Sequence, residues 1–297
     1  MANTTFDATV PMKQFRCPNG LRVWNAPESG NETRFIYREI FEQHCYEHHG
    51  VTVKNGDVIL DVGANIGMFA LSVMERFRGV KMVCVEPVPN TRACLVRNVT
   101  ESPWRNYHEI TILASAIGST NGEATISYFP RAPGNSTLHL GDKRREWGTI
   151  VDEITFSQIW KWNKPLALLL LPVYPWRRRL FTRFVGLVLD NPVTLQCEVR
   201  TLSDTIRQQG LEHIDLLKID VEGAELEVLQ GIEEQHWPLI QQVAMEIAAA
   251  HKGALAALGD RLRSLRFTKV TVESMLGGTA VLDDPMPCTL YAVRAPR

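Results

Sequence analysis

The stretch Val58-Ile59-Leu60-Asp61-Val62-Gly63-Ala64-Asn65-Ile66-Gly67 reads as a buried strand that runs into a tight glycine turn and then a helix. Apolar β-formers ending in an acid, followed at once by small residues, suit a parallel strand whose carboxyl end is open to a ligand. Gly63 and Gly67 carry no Cβ, so the backbone there can bend sharply and approach a bound molecule closely. The same glycines would equally serve to pack the next helix on the sheet, and a lone match does not separate the two readings.

Outward from this stretch the two periodicities alternate. A helix over Phe69–Phe77 follows, then a strand over Met82–Glu86, a helix over about Thr91–Asn98 and a strand over Ile110–Ala116. Strands separated by helices of this length imply right-handed crossovers and a parallel sheet. Ala124–Phe129 and Thr194–Val199 are further strands, and Ser203 is the expected N-cap of a short helix. Ile214-Asp215-Leu216-Leu217-Lys218-Ile219-Asp220 is a second buried strand ending in an acid, with Val221-Glu222-Gly223 and a helix over Ala224–Ile232 behind it. Gln242–Ile247 and a helix over about Ala254–Leu265 come next. Phe267–Glu273 and Cys288–Arg294 have no helical pattern between them, so they form an antiparallel hairpin at a sheet edge. The fold class is α/β, mostly parallel with an antiparallel C-terminal hairpin.

Two segments stand outside this rhythm. Residues 1–53 precede the core, and within them Glu32 to His49 carries Phe35, Ile36, Ile40, Phe41 and Tyr46 at helical spacing. This aromatic helix is a packing face or a cap over the ligand edge. The second segment, about 130–192, is rich in Pro, Trp and Arg and reads as an insertion in the main domain, 54–297. The greasy and basic residues over 165–189 suit a lid, a protein-docking surface or a peripheral membrane contact, or else a helical excursion that packs its leucines on the main domain.

Composition bounds the possibilities further. With 297 residues, 45% of them hydrophobic and 22% charged, the chain supports a full-sized globular core. A net charge of −1 gives no global footprint for nucleic acid. The first residues lack a basic and apolar signal pattern, and the apolar run Leu166 to Leu171 is far below the roughly 20 residues a bilayer span needs. The expectation is a cytoplasmic chain. Its six cysteines have no close pair at zinc or redox spacing and are expected as free thiols. The sequons at Asn3, Asn31, Asn98 and Asn135 read as chance matches.

Asp61, Glu86 and Asp220 each close a strand on the same edge of the sheet, where open α/β sheets bind ligands. Glu86 lies about 25 residues after Asp61, near the spacing at which an acid on the second strand reaches ribose hydroxyls. The turn lacks the third glycine of a pyrophosphate-binding G-x-G-x-x-G, because Met68 follows Gly67, and no Gly-Lys-Ser/Thr of a P-loop is present. A nucleoside without phosphates fits these residues better than a dinucleotide.

An acid-glycine turn, a ribose-binding acid on the second strand and a closing hairpin resemble the class I S-adenosylmethionine-dependent methyltransferases, with their Rossmann-like sheet. More narrowly, Asp61-Val62-Gly63-Ala64-Asn65-Ile66-Gly67 together with Asp215-Leu216-Leu217-Lys218-Ile219-Asp220-Val221-Glu222-Gly223-Ala224-Glu225 is similar to the FkbM family of methyltransferases. Asn135-Ser136-Thr137 matches a further segment of that family. The resemblance implies S-adenosylmethionine as cofactor. It implies that Asp61 and the backbone from Gly63 through Asn65 to Gly67 hold the methionine end, and that Glu86 accepts from the ribose hydroxyls. Pro87, Ser115 and Ala116 would flank the adenine, and Asp220 would face the methyl group.

Methyl transfer to oxygen needs positioning and, for an alcohol, a base. The candidates are Glu246 on the fifth strand, His251 just after it, and Asp220 with Glu222. Relatives acting on polyketide hydroxyls often show Glu-Val-His-Asp at the end of that strand, whereas here the run is Glu246-Ile247-Ala248-Ala249-Ala250-His251, with the histidine displaced. His48, His49 and His139 are weaker candidates, and no tight ligand spacing supports a metal. The expected activity is O-methylation of a small molecule or of a polyketide-like intermediate tethered to a carrier protein. A nicotinamide-dependent oxidoreductase and a non-catalytic scaffold working through 165–189 are the alternatives.

Overall fold

The computed structural model describes residues 11–153, 191–274 and 286–295, together with Trp176, Arg179, Leu180, Thr182, Arg183 and Gly186. The expected lid or docking surface over 165–189 therefore lies, apart from those single positions, outside the described residues, as does the tip of the C-terminal hairpin.

Two short antiparallel strands, β1 (Lys13–Arg16) and β2 (Arg22–Asn25), open the described chain. The helix expected over Glu32–His49 is shorter than its apolar spacing suggests. An α-helix, α1 (Gly30–Tyr37), passes into a π turn over Arg38–Glu42, and His44 at φ +50° ends the run. A π turn inserts an extra residue and shifts the residues beyond it off the helical face. Tyr46 is consequently free of the helix and buried against the sheet, with its ring edge-on to Phe69 at 5.6 Å.

The central elements are β3 (Val58–Val62), α2 (Met68–Arg76), β4 (Lys81–Val85), α3 (Pro89–Thr100) and β5 (Glu109–Leu113). The strand expected over Ile110–Ala116 breaks at Ala114. Ser115 to Ile117 form a separate strand, β6, which leaves the sheet edge and pairs with β8 (Val193–Arg200) in a small sheet completed by β7 (Gly122–Tyr128). Between β7 and β8 lies α4 (Leu140–Glu153). The remaining elements are α5 (Leu202–Gln208), β9 (Leu216–Ile219), α6 (Glu225–Gln230), β10 (Gln242–Ile247), α7 (Leu255–Ser264), β11 (Phe267–Ser274) and β12 (Cys288–Arg294). The cap of α5 is Thr201, whose hydroxyl accepts from Asp204 N at 3.1 Å. Ser203, the expected cap, is buried and accepts instead from Glu233 N at 2.7 Å.

The main sheet has the order β11-β12-β10-β9-β3-β4-β5. The strands from β5 to β10 run parallel, and β12 is antiparallel to both of its neighbours. Chain order reverses between β3 and β9, which opens a crevice at their carboxyl ends. Alternation along the strands separates two cores. Ile59, Met82, Leu216 and Ala244 face α2, α3 and the N-terminal segment; Leu60, Val83, Leu217 and Met245 face α5, α6 and α7. Asn98 on α3 locks the first core to the glycine turn, donating to Ile66 O at 2.8 Å and accepting from Trp24 N at 2.6 Å. No helix among the described residues is long and apolar enough to cross a membrane. All six cysteines are thiols, with no disulfide among them.

Both glycines of the decisive turn adopt positive φ, and at Gly63 packing also excludes a side chain. Gly63 has φ +77°, and a Cβ there would stand 1.7 Å from Asp220 O; at Gly67, φ +87°, it would stand 2.5 Å from Leu95 Cδ1. The first contact is with a backbone oxygen and cannot relax without moving the end of β9. Gly63→Ala should therefore lower stability by more than about 1 kcal/mol, the usual cost of alanine at positive φ, because the clash adds to the strain. Gly148→Ala is the contrasting control. It lies inside α4 with nothing within 4 Å of the added methyl, and helix propensity alone should raise the melting temperature. Thermal denaturation of both variants tests this; a Gly63→Ala protein as stable as the wild type would refute the packing account.

Candidate active site

One row of side chains crosses the main sheet just inside its carboxyl edge. Backbone register places Asp61 between Cys84 on β4 and Lys218 on β9. Asp61 is fully buried, and its carboxylate lies 3.0 Å from Lys218 Nζ. The same ammonium donates to Gly63 O at 2.7 Å and stands 3.6 Å from Asp220 Oδ2. A charge taken out of water must be paired. Burial opposes protonation of Lys218, but the two carboxylates outweigh it and hold the amine protonated above its ordinary range.

Two residues farther toward solvent, level with Gly63, come Glu86, Asp220 and Glu246, the acids that stand at the edge itself. Asp61, expected to close its strand at that edge, does not do so. The strand β3 runs on to Val62, which leaves Asp61 behind the cleft wall rather than on it. Gly67 is likewise off the cleft, turned against Leu95.

The cleft measures about 620 Å³ including its open mouth, and is lined by Gly63, Asn65, Glu86, Pro87, Ser115, Ala116, Asp220 and Glu222. Val85, Val88, Ile117, Ile126 and Leu138 supply apolar walls, and Pro133, Gly134 and Ser136 close one side. Glu86 is buried. Its Oε2 accepts from Asn65 N and its Oε1 from Val88 N, both at 2.9 Å, so the carboxylate is fixed while each oxygen keeps a lone pair. Burial pushes this carboxyl up to about 7 against those two amides. Ser115 Oγ is buried on the same wall and has no hydrogen-bond partner among the described residues.

The other end of the cleft is crowded with acids. Glu222 follows β9 at φ +54°, its carbonyl accepting from Thr137 Oγ1 at 2.6 Å and its carboxylate meeting Lys143 of α4. Lys143 also lies 3.2 Å from Glu146. Burial raises Glu222 to about 7 despite Lys143, and burial together with Asp220 and Glu222 lifts Glu246 well above the ordinary glutamate range. Glu39 reaches about 8 for the same reasons. The values of Glu222 and Glu39 suit proton exchange near neutrality. Beside this group His251 Nδ1 lies 3.0 Å from buried Glu225 Oε2, and Glu225 Oε1 accepts from Gly223 N at 2.6 Å. The hydrogen bond to Glu225 raises the imidazole above its ordinary value. His48 and His49 lie away from the cleft, both on Glu273 Oε2 at 3.0 and 3.1 Å. Among the described residues no group of His, Cys, Asp and Glu is arranged to hold a metal.

Several members of this site were not singled out from the sequence. Lys218 was readable in principle, because a lysine inside Leu216-Leu217-Lys218-Ile219 must have a buried partner. Tyr46 and Glu39 lie on the segment read as a packing face or a cap over the ligand edge, but nothing in its spacing shows which residues reach the site, and nothing places Lys143 there.

The donor set fits an S-adenosyl nucleoside: a fixed carboxylate for a diol, an orphaned serine hydroxyl with apolar walls for a base, and acids for a cationic end. A family model described as Methyltransferase FkbM domain matches residues 61–267. The chain is 32% identical to 31-O-demethyl-FK506 methyltransferase FkbM of Streptomyces tacrolimicus over 273 residues, covering 91% of this chain and 95% of that one. It is 35% identical to methyltransferase sdnD of Sordaria araneosa, over 72% of this chain and 74% of the relative. A 31% match to the AMB antimetabolite synthetase AmbE of Pseudomonas aeruginosa covers 93% of this chain but 12% of that protein. Among solved structures, the N-terminal domain of human METTL16 in complex with SAH aligns with a TM-score of 0.43 at 12% identity, over 96% of this chain and 89% of that one.

Glu32 on α1 offers a pH test of the cleft wall. Its Oε1 accepts from Gly134 N at 2.7 Å, and burial raises the carboxyl to about 7 against that bond. The folded chain then keeps a proton that the unfolded chain has already released. That contribution is complete below the ordinary glutamate range and is lost as pH rises through about 7. Glu32→Gln keeps the acceptor and cannot ionise, so its stability relative to wild type should increase between about pH 5 and about pH 8. Chemical denaturation at both values measures it; a difference independent of pH would contradict the burial argument.

Proposed function

The chain belongs to the FkbM methyltransferase family and is a methyltransferase. From that premise we propose that it takes the methyl group of S-adenosylmethionine and delivers it to a hydroxyl oxygen of a small molecule or of a carrier-tethered intermediate. The observation that carries the cofactor reading is Glu86. It stands on the cleft wall at the end of the second strand, both oxygens tied to backbone amides and both with capacity to accept from a ribose diol. Ser115 and Ala116 would meet the adenine, with Ser115 Oγ the unsatisfied donor and acceptor awaiting a partner. Asn65 and the Gly63 backbone would stand along the thioether, while Asp220 and Glu222 would face the amino-acid end. When bound, the cofactor supplies a methyl on a positively charged sulfur.

The oxygen acceptor is supported by the relative whose name specifies 31-O-demethyl-FK506 as its substrate, and a tethered acceptor by the match within a synthetase. The chain's own task at that end is to hold the acceptor in line and to take up its proton. Glu246 and Glu222, both raised by burial, are candidate acceptors of that proton. His251 is the third; Glu225 holds its Nδ1 and leaves Nε2 to act, in the manner of a carboxylate-oriented imidazole base. A nicotinamide-dependent oxidation has no support in the family match.

Calorimetry with S-adenosylhomocysteine tests the cofactor assignment. The wild type should bind, and Glu86→Ala, which loses two hydrogen bonds to the ribose, should bind about 10- to 100-fold more weakly. Unchanged affinity would remove Glu86 from the site. With an acceptor in hand, His251→Ala should depress turnover on the order of 100-fold or more while leaving homocysteine-nucleoside affinity nearly unchanged. Equal activity would discard His251 as the base and leave Glu246 and Glu222.

A further inference from the structure

We propose that Tyr46, which lies outside the stretch matched by the family model, is a positioning residue of the transfer site: its hydroxyl orients Asp220 so that the carboxylate presents Oδ1 to the amino-acid end of the cofactor. The proposal rests on the cofactor reading above. Tyr46 OH donates to Asp220 Oδ2 at 2.8 Å, across 174 residues of sequence. The other partner of Asp220 among the described residues, Lys218 Nζ, stands 3.6 Å from that same oxygen. Two partners on Oδ2 leave Oδ1 as the free end of a side chain that lines the cleft and is 26% exposed.

The contact is built rather than incidental. Tyr46 is buried, its ring packs edge-on to Phe69, and the Lys218 ammonium lies 5.1 Å from the ring centroid, within cation–π range. Burial and the neighbouring Asp220 raise the phenol well above its ordinary value, so it remains a donor. The backbone on either side is pinned to the C-terminal hairpin. Tyr291 OH donates to Cys45 O, and His48 and His49 share Glu273. Burial moderates the rise, but the Glu273 carboxylate raises His48 above its ordinary value, which favours the charged pair.

Position along the cleft says which ligand group is affected. Glu86, Ser115 and Ala116 define the nucleoside end, whereas Gly63, Asp220 and Glu222 stand together at the other. Glu39, Glu222 and Glu246 lie near Asp220, whose charge helps to raise all three carboxyls. In so crowded a setting the orientation of Asp220 depends on the partner that holds it. Tyr46 supplies a neutral donor that fixes the rotamer without adding charge.

The test compares two ligands by calorimetry: S-adenosylhomocysteine, and 5′-methylthioadenosine, the same nucleoside thioether without the amino-acid end. Tyr46→Phe keeps the ring and removes the hydroxyl. It should weaken S-adenosylhomocysteine about tenfold while 5′-methylthioadenosine changes less than about twofold. In an Asp220→Asn background Tyr46→Phe should cost nothing further, since it acts through that carboxylate. Equal weakening of both ligands would show a general structural role, and no weakening of either would show an idle contact; each overturns the inference and leaves the cofactor reading standing. A wild-type protein that binds neither ligand would overturn the cofactor reading and this inference with it.

Discussion

The buried ion pair between Asp61 and Lys218 is the constraint around which the site is built. It joins the two strands at which chain order reverses, and the same ammonium holds the carbonyl of Gly63 and approaches Asp220. A buried pair is weak evidence for net stability, because desolvation offsets much of the attraction. Its effect here is geometric. One cation with three oxygens around it fixes the start of the glycine turn relative to the end of β9. Gly63 completes that fit, since its missing Cβ is what lets the turn lie against Asp220 O.

From this centre the cleft divides into two chemistries. Toward β4 the carboxylate of Glu86 is immobilised by two backbone amides, and apolar residues with one unsatisfied serine surround it. Toward β10 four carboxyl groups, Glu39, Asp220, Glu222 and Glu246, are gathered near Lys143 and Lys218, and burial keeps several of them protonated to unusually high pH. Such a site disfavours anions, and a carboxyl raised to near neutrality, as Glu222 is at about 7, can exchange a proton there. These are the properties that transfer of a methyl group from a sulfonium to an alcohol calls for.

Segments outside the sheet complete both ends. The N-terminal part brings Tyr46 onto Asp220 and Glu32 onto the turn at Gly134, and α4 brings Lys143 onto Glu222. Each contact links residues far apart in sequence, and each was invisible to local reading. The aromatic spacing over Glu32–His49 suggested one continuous helix, yet the π turn at Arg38–Glu42 and the left-handed His44 end it and release Tyr46 inward. The strand expected to run from Ile110 to Ala116 likewise splits, because Ser115 finds its partner on β8 rather than on β4.

By itself the sequence determined the alternation of strands and helices, the parallel sheet with its antiparallel hairpin, and the sheet edge at which the cleft opens. It did so because burial leaves a periodic trace in residue type, and because glycine and acid at a strand end have few other uses. It located Glu86 for the same reason. Tertiary structure decided which acids face the cleft. Asp61 stands two residues back from the level of Asp220 and Glu246, which buries it behind the wall and leaves them at the edge, a distinction finer than any propensity can resolve. It also decided what holds Asp220, since the partner of a buried charge is chosen by three-dimensional proximity and leaves no periodic mark on the chain.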